Sequence, residues 1–299
     1  MINRLKQLRI GEHIREEGPK DYQSKAGTPT MGGVLIIISV LISVVFWSRL
    51  DQPYIYLMIL TTLWFGGLGF LDDYSKLVKQ QSLGLRGWHK IGLQTVGALV
   101  IASYLYKWGP TSLILPFFKE VQPNLGILFI PFATLVIVGA SNAVNLTDGM
   151  DGLAIGTSHS EIAAYLNIFH LPVGGEVTTV FCAALVGAGL GFLWYNGHPA
   201  QVFMGDTGSL ALGATLGTVA VLIKQEFLLV IVGAIFVVET LSVIIQVWSF
   251  RTFGKRVFKM SPIHYHFLLS GWKESKVVIR FWIVGLILVL IALSTLKLR

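Results

Sequence analysis

Charge is scarce in this chain. Asp, Glu, Lys and Arg make up 13% of its 299 residues, about half the share expected of an ordinary soluble domain. Hydrophobic residues make up 54%, and the mean hydropathy is +0.68. This balance excludes a soluble globular fold and points to a chain that lies mostly in a bilayer. Cysteine is almost absent. The single Cys182 sits in an apolar stretch, so no internal disulfide exists and the residue reads as a small buried hydrophobe. The first thirty residues lack the apolar core of a signal peptide, so the amino terminus is expected to stay on one side of the membrane uncleaved. No repeat, low-complexity tract or long linker divides the chain, and 1–299 reads as a single polytopic membrane domain. The net charge is +7. Its basic residues lie between apolar segments and form no single patch, so the expected partner is the headgroup layer of the lipid bilayer and not nucleic acid.

What the chain has in abundance is long apolar runs. Nine segments qualify as membrane spans, near 32–48, 54–71, 91–106, 127–144, 152–169, 177–194, 208–223, 227–248 and 277–296. The expected fold class is therefore an all-α integral membrane protein, a polytopic bundle of about nine transmembrane helices. His159 and Glu161 in the fifth segment are expected to face the bundle interior. Gly187 with Gly191, and Gly213 with Gly217, have the spacing that lets helix backbones approach closely. Outside the spans, one side carries sixteen Lys and Arg residues in 1–30, 72–90 and 249–276, and the other carries six. The positive-inside rule makes the first side cytoplasmic, and nine spans then put the carboxyl terminus outside.

Polar residues that interrupt the apolar pattern fall into four clusters, all on that cytoplasmic side. In GFLDDYSK (69–76), Asp72 and Asp73 repel each other and persist most easily with a shared cation or proton. If the helix runs one turn further, Lys76 comes within reach of both, although the segment also reads as a plain solvated helix end. In SNAVNLTDGMDGLA (141–154), Asn142 and Asn145 end a span, and Asp148 and Asp151 alternate with glycines in a tight turn. An ordinary Asp-Gly turn has the same appearance. In NGHPAQVFMGDTGS (196–209), Asp206 stands at a helix start, where capping alone would account for it. In KMSPIHYHF (259–267), His264 and His266 share a face if the segment is extended, and both then address a phosphate. Zinc lacks the ligands it needs there. Three one-sided carboxylate clusters suit magnesium, which one or two carboxylates hold together with waters and substrate phosphate.

The segments SKAGTPTMGG, GFLDDYSK, NAVNLTDGMDGLA, FMGDTGSLALG and MSPIHYHF, taken in order, resemble the blocks of the phospho-N-acetylmuramoyl-pentapeptide transferase family. That family lies within the polyprenyl-phosphate N-acetylhexosamine-1-phosphate transferase superfamily, and the match covers almost the whole chain. The resemblance implies Mg2+-dependent transfer of phospho-MurNAc-pentapeptide from UDP-MurNAc-pentapeptide to undecaprenyl phosphate, giving lipid I and UMP at the inner membrane of a bacterial cell. It implies an active-site cleft on the cytoplasmic face. The aspartate blocks are shared with the transferases that load N-acetylglucosamine-1-phosphate, which stand as the alternative; GTPTMGG and SPIH favour the muramoyl branch. An ion-coupled transporter is the alternative from another class, disfavoured because the informative acids lie at span ends. The resemblance makes Asp72 and Asp73 the catalytic pair and Asp206 the magnesium ligand, with His264 and His266 as further catalytic residues. It puts Asp148, Asp151, Asn196 and Phe203 on the uridine side, and Lys25, Thr30, Lys76, Asn142, Asn145 and Gln246 along the cleft. One-step transfer and a phosphoryl-aspartate route both stay open, as does a homodimer. The family carries three consecutive histidines where this chain has His264-Tyr265-His266. The family also has ten spans, which places the start of this chain at the connection after the first.

Overall fold

A computed structural model describes residues 25, 27–79, 84–115, 122–158 and 175–297. The described part is helical: α1 (Gly33–Trp47), α2 (Pro53–Lys79), α3 (Gly87–Trp108), α4 (Phe129–Thr147), α5 (Gly175–Asn196), α6 (Gly205–Leu222), α7 (Glu226–Val232), α8 (Ala234–Phe253), α9 (Ile263–Leu269) and α10 (Glu274–Lys297). Five of these stretches are long and apolar enough to cross a membrane: Pro53–Lys79, Gly126–Thr147, Thr179–Asn196, Ala234–Phe253 and Glu274–Thr295. They make the chain a multi-pass membrane protein. Large apolar side chains face outward along α1, α8 and α10, among them Ile42, Phe46, Ile244, Trp248, Ile287 and Leu290. In water such a surface would drive aggregation; in lipid it is solvated.

Four of the nine expected spans, 32–48, 91–106, 152–169 and 208–223, are not among these five stretches of the described residues, α1 having only 15 residues, and two expected helices and one expected helix contact differ further. The segment 227–248 is not one helix: α7 has seven residues, Gly233 leaves helical geometry, and α8 starts anew at Ala234. Seven residues rise only about 10 Å, too short to cross the hydrocarbon layer. The segment 152–169 is helical over 153–158, and the remainder, with His159 and Glu161, lies outside the described residues. Among the described residues, Gly187 and Gly191 meet no neighbour where a Cβ would stand. They border an apolar cleft of about 920 Å³ between α1 and α5 instead of closing a helix contact.

The centre of the bundle is α6, whose residues from Thr207 to Leu222 are all buried. Its Gly, Ala, Ser and Thr content explains this, because small residues let neighbouring backbones close in where no water drives apolar association. A Cβ on Gly213 would collide with the Ala140 carbonyl of α4, one on Gly69 of α2 with the Asp206 carbonyl, and one on Gly33 of α1 with the Gly208 backbone. Hydroxyls inside the bundle satisfy themselves locally: Thr61, Thr134 and Thr218 each donate to the carbonyl four residues back. The segment before α1 is tied to the segment before α6. Phe203 N–H donates to Pro29 O at 2.7 Å, and Gly32 and Gly33 N–H donate to Phe203 O and Met204 O at 2.8 Å each. The SKAGTPTMGG and FMGD stretches, 170 residues apart in sequence, are thereby adjacent in space.

Candidate active site

The end of α2, the start of α3, the end of α4 and the start of α6 meet at one end of the bundle. Helix α2 does run to Lys79, so Lys76 sits one turn beyond the aspartate pair. Its Nζ lies 2.8 Å from Asp72 Oδ2, 3.6 Å from Asp73 Oδ1 and 2.9 Å from Asp206 Oδ2. Lys90, from the first turn of α3, reaches Asp206 Oδ2 at 2.7 Å. Asn145 Nδ2 donates to the other oxygen, Asp206 Oδ1, at 2.7 Å and to Ser209 Oγ at 2.8 Å. Asp72 is 2% exposed, and its Oδ1 accepts from the Leu85 N–H at 2.8 Å. Behind this centre, Asn142 Nδ2 donates to Gln94 Oε1 at 2.6 Å.

The two faces of this centre have different work. Capping, the plain alternative to a metal-ligand role for Asp206, does not describe it: α6 begins at Gly205 without a side-chain cap of its own. Asp73 from α2 takes that place. Its Oδ1 accepts from Asp206 N–H at 3.1 Å, and its Oδ2 accepts from Thr207 N–H at 2.9 Å and Thr207 Oγ1 at 2.7 Å. A carboxylate there satisfies orphan amides and complements the helix dipole. Gly205 makes the approach possible: its φ is +72°, and an added Cβ would meet Asp73 Oδ2 and the buried Thr30 Oγ1. The Asp206 carboxylate is thus free to face the lysines. Burial works against its charge, but the hydrogen bond with Asp72 and the Lys90 and Lys76 ammonium groups outweigh that and hold it below the usual carboxylate range.

Carboxylate oxygens of Asp72, Asp73 and Asp206 lie within 4.8 Å of one another. Oxygen-only donors of this kind fit a hard divalent cation. The same fit is visible in what occupies the space now, since two ammonium groups converge on Asp206 where a cation's charge would fall.

The Asp148–Asp151 cluster goes elsewhere. Asp148 ends α4, half-buried. Asp151, 1% exposed, accepts from Lys25 Nζ at 2.6 Å and faces His198 Nδ1 at 3.1 Å. Lys25 also reaches Glu274 Oε1 at 2.6 Å, and Glu274 accepts the Asp151 N–H at 3.0 Å. These bonds knot the segment before α1, the 148–153 turn, the loop before α6 and the start of α10. Carboxylate and imidazole atoms of Asp151, His198 and Glu274 also lie within 4.8 Å of one another, but the Lys25 ammonium already bridges the two acids. Asn196 binds Gly152 N–H and Val202 O internally. Phe203 is held by its backbone with the ring half-buried.

The histidines do not share a face. Residues 263–269 form α9, so positions two apart point to opposite sides of a helix, whereas the expectation of a common face assumed an extended chain. His264 is fully buried with Nδ1 3.1 Å from Glu239 Oε2. His266 Nδ1 accepts the Lys259 N–H at 3.2 Å, and its ring stands edge-on to Phe258. Gln246 uses its whole amide on the backbone of Val257 and Phe258. Lys90, His198, Glu239 and Glu274 were missed in the sequence. Lys90 carried one signal, an ammonium just inside the first turn of an apolar helix.

Fold and site together define a polytopic membrane protein with a carboxylate–lysine centre suited to phosphate esters and a divalent cation. The Glycosyl transferase family 4 pattern matches residues 54–224, and the phospho-N-acetylmuramoyl-pentapeptide-transferase signature 1 matches residues 25–37. The chain is 54% identical over 318 aligned positions to a phospho-N-acetylmuramoyl-pentapeptide-transferase of Desulforapulum autotrophicum, covering all of this chain and 88% of that protein. The chain belongs to the phospho-N-acetylmuramoyl-pentapeptide-transferase family.

Proposed function

We propose that this chain transfers phospho-MurNAc-pentapeptide from UDP-MurNAc-pentapeptide to undecaprenyl phosphate, yielding lipid I and UMP for peptidoglycan synthesis. The observation that carries the reading is the centre of Asp72, Asp206, Lys76 and Lys90 at one end of the bundle, in a chain of this family. The donor is soluble and the acceptor is a lipid, so a reacting centre at the rim of an apolar bundle meets both. The bias of Lys and Arg supports a cytoplasmic orientation for that rim, read here in the inner membrane of a bacterial cell.

The acceptor phosphate brings its own oxyanion, so attack on the donor diphosphate is read as direct, without a phosphoryl-aspartate. Asp72 orients that oxyanion and takes any residual proton. Lys76 and Lys90 swing from carboxylate to phosphate and neutralise charge spread over the transferred group. Asp73 keeps Asp206 in place by holding the first turn of α6. Asp206 with Asp72 would hold Mg2+, whose charge would help neutralise the diphosphate. The uridine end is assigned to Phe203, Asp148, Asp151 and Asn196, with Lys25 and Thr30 beside them.

The test is UMP release by purified protein given polyprenyl phosphate, Mg2+ and either UDP-MurNAc-pentapeptide or UDP-GlcNAc. Release from the muramoyl donor alone is expected, and it should stop when the divalent cation is chelated. Release from UDP-GlcNAc alone would reassign the chain to N-acetylglucosamine-1-phosphate transfer.

A further inference from the structure

Glu239 is the one acid buried in the middle of α8, and nothing in the transfer reading uses it. It is 0% exposed, as is His264, and the two meet at 3.1 Å through Glu239 Oε2 and His264 Nδ1. An ionised carboxylate only accepts hydrogen bonds, so a proton must sit on Nδ1 for this contact to be favourable. That leaves Nε2 as the working nitrogen, and among the described residues Nε2 has no hydrogen-bond partner although it is buried. Its position is defined on the other side by the turn after α4. A Cβ on Gly149 would stand 2.5 Å from His264 Nε2 and 2.9 Å from the Tyr265 hydroxyl. That hydroxyl donates to Gly149 O at 3.3 Å, and the Tyr265 ring lies 4.2 Å from the imidazole. Only a glycine backbone therefore separates Nε2 from the Asp148–Gly149 turn, one helical turn past Asn145 of the carboxylate–lysine centre.

A buried acid facing an imidazole whose second nitrogen is unpartnered is poor as a structural tie, because polar atoms are left unsatisfied inside a lipid-embedded bundle. It is a good arrangement for fixing a tautomer and aiming one nitrogen. We infer that Glu239 is a positioning residue for the transfer reaction: it fixes the His264 imidazole with Nε2 directed at the Asp148–Gly149 turn, whose Asp148 is assigned above to the uridine end of the donor. This rests on the function proposed above and adds to it a residue on a different helix from every carboxylate of the centre.

The experiment is a mutant cycle read by UMP release, with kcat and KM for the nucleotide-sugar determined separately. Glu239→Met keeps the volume, suits an apolar bundle and removes the acceptor. Its kcat should fall roughly tenfold or more with KM nearly unchanged, the scale on which positioned acid–base groups act. Glu239→Gln keeps an oxygen to accept from Nδ1–H and should recover most of that loss, which a mere packing role would not require. In a His264→Ala background neither variant should cost anything further. If Glu239→Met does not fold, Glu239→Ala takes its place, and losses of Glu239→Ala and His264→Ala that multiply in the double variant overturn the inference. Wild-type kcat in Glu239→Met, or a Gln variant as poor as Met, overturns it equally. A wild-type protein that releases no UMP would instead sink the proposed function, so the two failures are distinguishable.

Discussion

Two adjacent aspartates of α2 do different jobs because of where each points. Asp73 meets three donors of another helix's first turn, so its lone pairs are committed to architecture. Asp72 and Asp206 face the lysines. Asp206→Asn should therefore lower turnover by more than about tenfold while the protein stays folded, because a charge-bearing carboxylate in a metal-assisted centre contributes several kcal/mol at the transition state. Steady-state UMP release at saturating Mg2+, with size-exclusion profiles as the folding control, measures this, and wild-type turnover would reduce Asp206 to scaffold. The neighbouring deviation at Tyr265 is expected to matter little. Tyr265→His exchanges one donor near Gly149 O for another and should keep turnover within about threefold, since a long neutral hydrogen bond contributes only about 0.5–1.5 kcal/mol. A tenfold loss would mean that the phenol ring itself is required. The sequence revealed Asp72, Asp73, Lys76 and Asp206 as chemistry-bearing, because ionised groups at span ends stand out against apolar surroundings. It did not reveal which aspartate was free, because the donors that occupy Asp73 come from a helix 130 residues away.

Helix α6 shows what a small-residue pattern can and cannot say. Gly213 and Gly217 repeat at the spacing of a close helix contact, and α4 packs there, with Gly217 Cβ space 3.0 Å from Ile137 Cα. Gly187 and Gly191 have the same spacing on α5 and meet no neighbour among the described residues. Spacing is a local property, whereas the presence of a neighbour is decided by how the bundle closes. Gly213→Leu should consequently be badly tolerated, since overpacking a tight contact costs about 1–3 kcal/mol or more. Gly187→Ala should leave the melting temperature unchanged or raise it slightly, as alanine is the better helix former by about 1 kcal/mol. Thermal unfolding in detergent compares the two, and equal destabilisation would contradict this packing of α5. The break at Gly233 was likewise hidden, because a largely apolar run through residue 233 looks the same whether the helix continues or restarts.

The bundle as a whole is polarised. The ends that carry Asp72, Lys90, Asn145 and Asp206 gather on one side, while Arg49, between α1 and α2, and Lys224, between α6 and α7, mark the other. Single cysteines at Lys79 and Lys255 should react with an impermeant thiol reagent from the cytoplasmic side. A cysteine at Arg49, which is 65% exposed, should react only from the opposite side. Background from Cys182 should be negligible because it is buried. Labelling of all three from one side would overturn the orientation. Membrane residence and the identity of the acidic blocks were determined by the sequence alone, and it is the sequence that sets the expected sidedness, since hydropathy, Lys and Arg bias and residue chemistry are additive along a chain. The tertiary structure alone decided that Asp73 caps α6, that Lys90 joins the centre, that Lys25 and Glu274 lock Asp151, and that His264 turns inward to Glu239. Each of these depends on the distance between atoms far apart in sequence, and for Asp73 and Lys90 that distance is set by how small residues let α6 close against its neighbours.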